Sequence, residues 1–233
     1  MKYKLKYTVP QLNNCCLFSS VAHAVSNLRY PYFSYEQSWN GDNYSFQYGG
    51  SRGTVTFNRK NNLVVAAFRD DRSDKIREYP TFRASGLFCE ADRRVQETAN
   101  AVTLEYLYYD FGGITVPTAT AAMWSEADVL YSPDEGEIFV ANGGEFIDII
   151  CIPIEELAEY WREQYELTEN EIKATELIFQ IKRKGGNQIA FDDIPIAIDK
   201  NAEGYAEFLE SLSEIDINST RGRFSCVNTN EQV

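Results

Sequence analysis

Residues 43–69 hold the pattern that most limits the fold. Tyr44–Tyr48, a Gly49-Gly50 turn, Thr54–Asn58, a Lys60–Asn62 turn and then Leu63–Arg69 read as consecutive antiparallel strands. Val55 and Phe57 alternate with Thr54 and Thr56, as in a strand with one buried face. The run Leu63–Phe68 is apolar at every position, which suits a more central strand. A chain carrying such a meander builds its core on an antiparallel sheet.

Two further segments are expected to join it. Residues 1–9 place Tyr3, Leu5 and Tyr7 on one face and Lys2, Lys4 and Lys6 on the other. Such a lysine row marks an edge strand or one with an exposed face. Residues 137–152 read as a hairpin turning at Asn142-Gly143-Gly144. About five helices are expected around the sheet. One is capped by Asn13 or Asn14 and runs to about Leu28; another covers Ala91 to about Tyr109. A third follows Pro153. A fourth opens on the Thr168/Glu171 capping box and stops at Gly185-Gly186, and a fifth spans about 201–215. Residues 114–136 fit either a short helix from Ser125 or a loop. Strands and helices come in groups instead of alternating, so the class is α+β. One domain over 1–217 is expected, with a seam near 112–120 and a flexible polar tail at 218–233.

With 233 residues, the chain can bury a core without staples. Its five cysteines, at 15, 16, 89, 151 and 226, include no C-x-x-C pair, and His23 is the only histidine. That pattern disfavours a zinc centre. Neither metal nor cofactor is expected. No apolar run approaches the ~18 residues of a membrane span, and no secretory leader pattern opens the chain. The expectation is a cytosolic protein with reduced thiols. Charge is uneven: residues 1–120 carry 14 Lys+Arg against 11 Asp+Glu, residues 121–233 carry 8 against 24. An acidic half repels phosphates, so no nucleic acid is expected there, and it suits a basic protein partner.

The stretch QLNNCCLFSSVAHAVSN, residues 11–27, carries the sharpest chemical hint. A cysteine in the first turn of a helix gains thiolate character from the helix dipole and free N–H groups. VPQLNNCC resembles the nucleophile region of papain-like cysteine peptidases, particularly the bacteriocin-processing type. The resemblance implies attack by Cys15 or Cys16 and oxyanion support from Gln11. The chain departs from the family pattern in two ways. Leu17 stands where a small glycine is usual, and no histidine follows residue 23. His23 itself lies seven residues past Cys16, about 10 Å along a helix axis, whereas a thiol–imidazole bond needs about 3 Å. On a helical wheel Cys16, Ser20, His23 and Asn27 oppose the Leu17/Phe18/Val21/Val25 stripe. That polar face is expected either to meet water or to pack on a second layer or a partner.

Other clusters read as structure. Asp70-Asp71, Asp134-Glu135 and Asp192-Asp193 lack calcium-loop spacing. Gly49–Gly53 links two strands, so it is a turn and not a phosphate cradle. Arg52, Arg69, Arg72, Arg77, Arg83, Arg93 and Arg94 are expected to pair internally. Trp39, with Tyr44 beside an Asn-Gly-Asp turn at Asp42, is a recognition candidate. The resulting expectation is a non-catalytic, acidic, cytosolic inhibitor or immunity-type factor that neutralises a basic protein partner, using Trp39, Asp42, Tyr44, Cys16, His23 and Asn27. The alternative is a cysteine-dependent hydrolase or transferase built on Cys15, Cys16 and Gln11.

Overall fold

The computed structural model describes residues 1–78, 83–190, 193–196 and 198–220. In chain order β1 (Tyr3–Thr8) runs straight into α1 (Val9–Asn27), and a 3-10 turn (Pro31–Glu36) leads to β2 (Gln37–Asn40), β3 (Asn43–Tyr48), β4 (Ser51–Asn58) and β5 (Leu63–Asp70). Next come α2 (Arg93–Ala101), the turn Thr103–Leu107, β6 (Tyr108–Asp110), β7 (Thr115–Pro117), β8 (Ala121–Glu126) and β9 (Val129–Ser132). The remainder is α3 (Gly136–Phe139), α4 (Glu145–Ile150), α5 (Ile154–Gln164), α6 (Glu169–Arg183), β10 (Gln188–Ala190), α7 (Tyr205–Glu214) and β11 (Asn218–Thr220).

Seven strands form one antiparallel sheet in the order β1-β9-β8-β5-β4-β3-β2, and the fold is α+β. The meander pairs as its alternation requires, with Val55 between Tyr44 and Ala66. β8 pairs with β5, so strands on both sides of residues 112–120 share this sheet. One face, with Leu5, Tyr7, Val55 and Phe68, packs against α1 and the C-terminal helices as the larger core. The other face, with Val65, Ala67 and Trp124, is covered by α2 and the turns beside it.

Residues 137–152, expected as a hairpin, are helical instead. The Asn142-Gly143-Gly144 signal does mark a turn, but it joins α3 to α4. Gly143 takes φ 120°, which only glycine adopts freely. The turn lies against β5: a Cβ on Gly143 would sit 3.1 Å from the Phe68 Cβ, and one on Gly144 would enter the Phe139 ring. Three strands of the main sheet were missing from the sequence pattern, one of them β2 at Gln37–Asn40. The other two are residues 121–126 and 129–132, β8 and β9, which lie between β1 and β5, with no helix at Ser125.

Helix boundaries also differ. α1 starts at Val9, with Thr8 as cap accepting from the Gln11 N–H at 3.3 Å, ahead of the expected Asn13 or Asn14. Pro10 occupies the first turn, where its missing N–H costs nothing. The helix predicted to Tyr109 ends at Ala101. Of the expected tail, residues 218–220 form β11, parallel to β10, and 221–233 with Cys226 lie outside the described residues, as does Asp192. No described helix is long and apolar enough to cross a membrane.

Candidate functional site

α1 passes through the interior, and both of its faces are buried, so the polar face does not meet water. Cys16, Ser20, His23 and Asn27 are all inaccessible. Most of their polar atoms bind neighbouring elements instead, as buried polar groups generally do, while Asn27 Oδ1 finds no partner among the described residues. The Trp161 indole N–H donates to Ser19 Oγ at 2.9 Å, and that of Trp39 donates to Ser20 Oγ at 2.6 Å. Asn27 Nδ2 donates to Ser211 Oγ at 3.1 Å. His23 Nε2–H donates to the Phe33 carbonyl at 2.9 Å; a carbonyl only accepts, so the ring is the Nε2–H tautomer. Burial depresses the His23 pKa to about 4, keeping it neutral. The face thus anchors α5, β2, α7 and the 31–36 turn to one helix.

Gln11 and Cys15 are similarly engaged. Past the end of α4, Gln11 Nε2 donates to the Cys151 carbonyl at 2.8 Å and Cys15 Sγ to the Ile152 carbonyl at 3.6 Å. Helix ends leave carbonyls without intrahelical partners, and these side chains satisfy them. The Cys15 and Cys151 thiols also interact directly. That contact lowers Cys15 and raises Cys151, while burial pushes Cys16 well up. The only imidazole is turned toward Phe33 and Tyr165, away from these sulfurs. Among the described residues no group of three or more His, Cys, Asp or Glu is placed to hold a metal ion.

The aromatic candidates also fall inside. Trp39 lies on β2, stacked on Phe57 and tilted against Tyr44, with both Trp39 and Tyr44 buried. Asp42 stays partly exposed and pairs with Arg59 at 3.5 Å. The arginines pair largely with neighbours: Arg69 and Arg52 with Asp71, Arg72 with Asp70 and Glu145, Arg94 with Asp92.

Exposed aromatics lie elsewhere, at Tyr106, Tyr108 and Tyr109 and, including the two most exposed, on the turn Pro31–Glu36 before β2. Tyr32 is 74% exposed, Phe33 47% and Tyr35 63%. Single exposed apolar residues are ordinary, but three within four positions on a rigid turn are not. The His23 bond fixes the turn from below. Carboxylates border it. The Tyr32 hydroxyl donates to Glu203 at 2.9 Å, that of Tyr30 to Glu166 at 3.2 Å, and that of Tyr165 to Glu36 at 3.5 Å. Glu166 holds a left-handed backbone (φ 50°), costly for a non-glycine residue. Arg29 clamps it by donating to the Tyr165 and Glu166 carbonyls. Beside the turn opens a cleft of about 340 Å3 between Leu28, Arg29, Glu171, Asp199 and Ala202. The repeated Tyr and Phe of PYFSYE, in a segment without strand alternation, was the available signal for this surface.

The chain matches no protein-family model, no curated protein and no solved structure.

Proposed function

We propose that this chain is a non-catalytic, acidic, cytosolic binding protein, of inhibitor or immunity type, that neutralises a basic protein partner through the turn Pro31–Glu36. The observation that carries the reading is the rigid cluster of exposed Tyr32, Phe33 and Tyr35 bordered by Glu36, Glu166 and Glu203. Aromatic side chains lose little entropy on binding and dominate interface hot spots. Tyrosine faces attract guanidinium and ammonium groups, and adjacent carboxylates add hydrogen-bonded charge pairs. The adjoining cleft gives an inserted side chain somewhere to lodge, next to Glu171 and Asp199.

Charge supports the same reading. Five ion pairs tie carboxylates of the acidic half to the basic half: Lys2–Glu126, Lys6–Asp148, Arg29–Glu171, Arg72–Glu145 and Lys75–Asp134. Glu155, Glu156 and Glu163 on α5 and Glu207 and Glu210 on α7 have no cation among the described residues. Their field would steer a basic partner toward the C-terminal helices.

The experiment is quantitative affinity capture from the native host. It compares the wild type with Tyr32→Ala/Tyr35→Ala and Glu166→Lys/Glu203→Lys variants at low and high salt. One basic protein should be retained by the wild type, lost with both variants and released by salt. Retention of the same protein by both variants, or a salt-insensitive acidic partner, would sink the reading.

A further inference from the structure

A cleft between the first half of α1 and the ends of α6 and α7 holds charges that the fold leaves unbalanced. It encloses about 350 Å3, at the lower end of the roughly 300–1,000 Å3 of small-molecule sites. Lys182 and Asp216 in its wall pair at 3.3 Å, and Arg59 is held by Asp42 at 3.5 Å. The other two charged groups of the wall are of opposite sign. Arg183, in the last turn of α6, has no anionic partner among the described residues, and Glu214, at the end of α7, has no cationic one. Glu214 is half-buried and accepts from a neutral donor, the Trp39 backbone N–H, at 2.9 Å. Burial pushes its carboxyl above the ordinary value, an effect that an adjacent positive charge reverses.

We infer that this cleft binds a small zwitterion of the amino-acid type, with its carboxylate on Arg183, its ammonium on Glu214 and a short apolar body against Leu17, Trp39 and Ile215. Each part of the ligand answers a part of the wall. A guanidinium recognises a carboxylate through two parallel hydrogen bonds. A carboxylate offers about four lone-pair sites, of which the Trp39 N–H takes one, so Glu214 can still accept from an ammonium. Asn13 and Asn14 of α1 add amides that both donate and accept, and these can serve either end of the ligand.

The same wall argues against other ligand classes. A phosphate group would meet Glu214 and Asp216 as like charges. A sugar calls for an open aromatic face, whereas Trp39 is only 8% exposed, stacked on Phe57 and tilted against Tyr44. The cleft beside the turn Pro31–Glu36 meets α6 at Glu171, and this one meets it at Lys182 and Arg183, the other end of the helix. The zwitterion site therefore does not depend on the basic-partner reading.

The test is isothermal titration calorimetry of the full chain with L-leucine and 6-aminohexanoate, zwitterions of short and long charge separation. At least one should bind, and at least tenfold more tightly than its N-acetyl derivative, which lacks the ammonium, and its carboxamide, which lacks the carboxylate. Arg183→Gln and Glu214→Gln should each weaken that zwitterion at least tenfold. Arg183 is exposed, and Glu214→Gln keeps an acceptor for the Trp39 N–H, so both variants should retain the wild-type circular dichroism spectrum. Lys184→Gln, an exposed cation next in sequence but outside the wall, should leave the affinity unchanged. Binding of neither zwitterion, equal binding of a singly charged analogue, or unchanged affinity in the Arg183 and Glu214 variants overturns the proposal. So does a loss with Lys184→Gln as large as that with Arg183→Gln, which would mark a general charge effect.

Discussion

His23 donates its Nε2 proton to the Phe33 carbonyl at 2.9 Å, so the only histidine fixes the turn that presents the exposed aromatics. Its burial has a thermodynamic consequence. An unfolded histidine titrates near 6.5, while the folded one is held at about 4. Between these values the unfolded state binds a proton that the native state does not, so the contribution is complete above about 6.5 and is lost as pH falls toward 4. The loss is on the order of 3 kcal/mol. Urea titrations between pH 7.5 and 4.5 should show this slope in the wild type and a flatter one in His23→Gln. Equal slopes would mean that the imidazole is solvated in the native protein.

Thiol reactivity separates a structural role for Cys15 from a nucleophilic one. Cys15, Cys16 and Cys151 are buried, whereas Cys89 is exposed. Iodoacetamide at neutral pH, read site by site by mass spectrometry, should label Cys89 at the rate of a free thiol. Cys15, Cys16 and Cys151 should follow at least a hundredfold more slowly, limited by opening of the structure. Labelling of Cys15 ahead of Cys89 would restore the activated-nucleophile interpretation.

The meander was legible because alternation with glycine turns leaves few alternatives, and of the two readings the lysine row allowed, an edge strand or one with an exposed face, β1 takes the edge. Residues 137–152 misled because short apolar runs around Asn-Gly-Gly suit hairpins and helix pairs equally; contact with Phe68 and Arg69 decides between them. α1 misled for a related reason. A wheel separates polar from apolar positions, but it cannot show that tryptophan N–H groups from β2 and α5 will meet the serines. The candidate site was hidden for the converse reason. The lack of strand alternation in PYFSYE set Tyr32 and Tyr35 apart from Trp39 and Tyr44, but only the packed sheet shows that the latter pair is covered and the former is not.

The clash map of the glycines gives a packing test. A Cβ on Gly204 would lie 1.9 Å from the Asn27 carbonyl oxygen, where the start of α7 meets the end of α1. Gly204→Ala should therefore destabilise by at least the ~1–3 kcal/mol typical of overpacking. Gly86, whose added Cβ meets nothing within 4 Å, is the control, and Gly86→Ala should stay within about 0.5 kcal/mol of the wild type. Thermal and urea unfolding of both variants measure the difference. A neutral Gly204→Ala would mean that α7 does not seat against α1 as described.

The Trp39–Ser20 bond couples the β2 edge to the central helix. Ser20 Oγ accepts from the indole and also donates to the Cys16 carbonyl at 2.9 Å, so it links sheet and helix. Ser20→Ala leaves the buried indole N–H without its acceptor, at a cost of about 1–3 kcal/mol. Trp39→Phe removes the donor together with part of the packing on Tyr44 and Phe57. Because the two losses share one interaction, the double variant should be less destabilised than the sum of the singles, by about 1 kcal/mol. Urea denaturation of the four proteins in this cycle reads the coupling directly. Strict additivity would show that the indole finds another acceptor and that the polar face of α1 does not hold β2 in place.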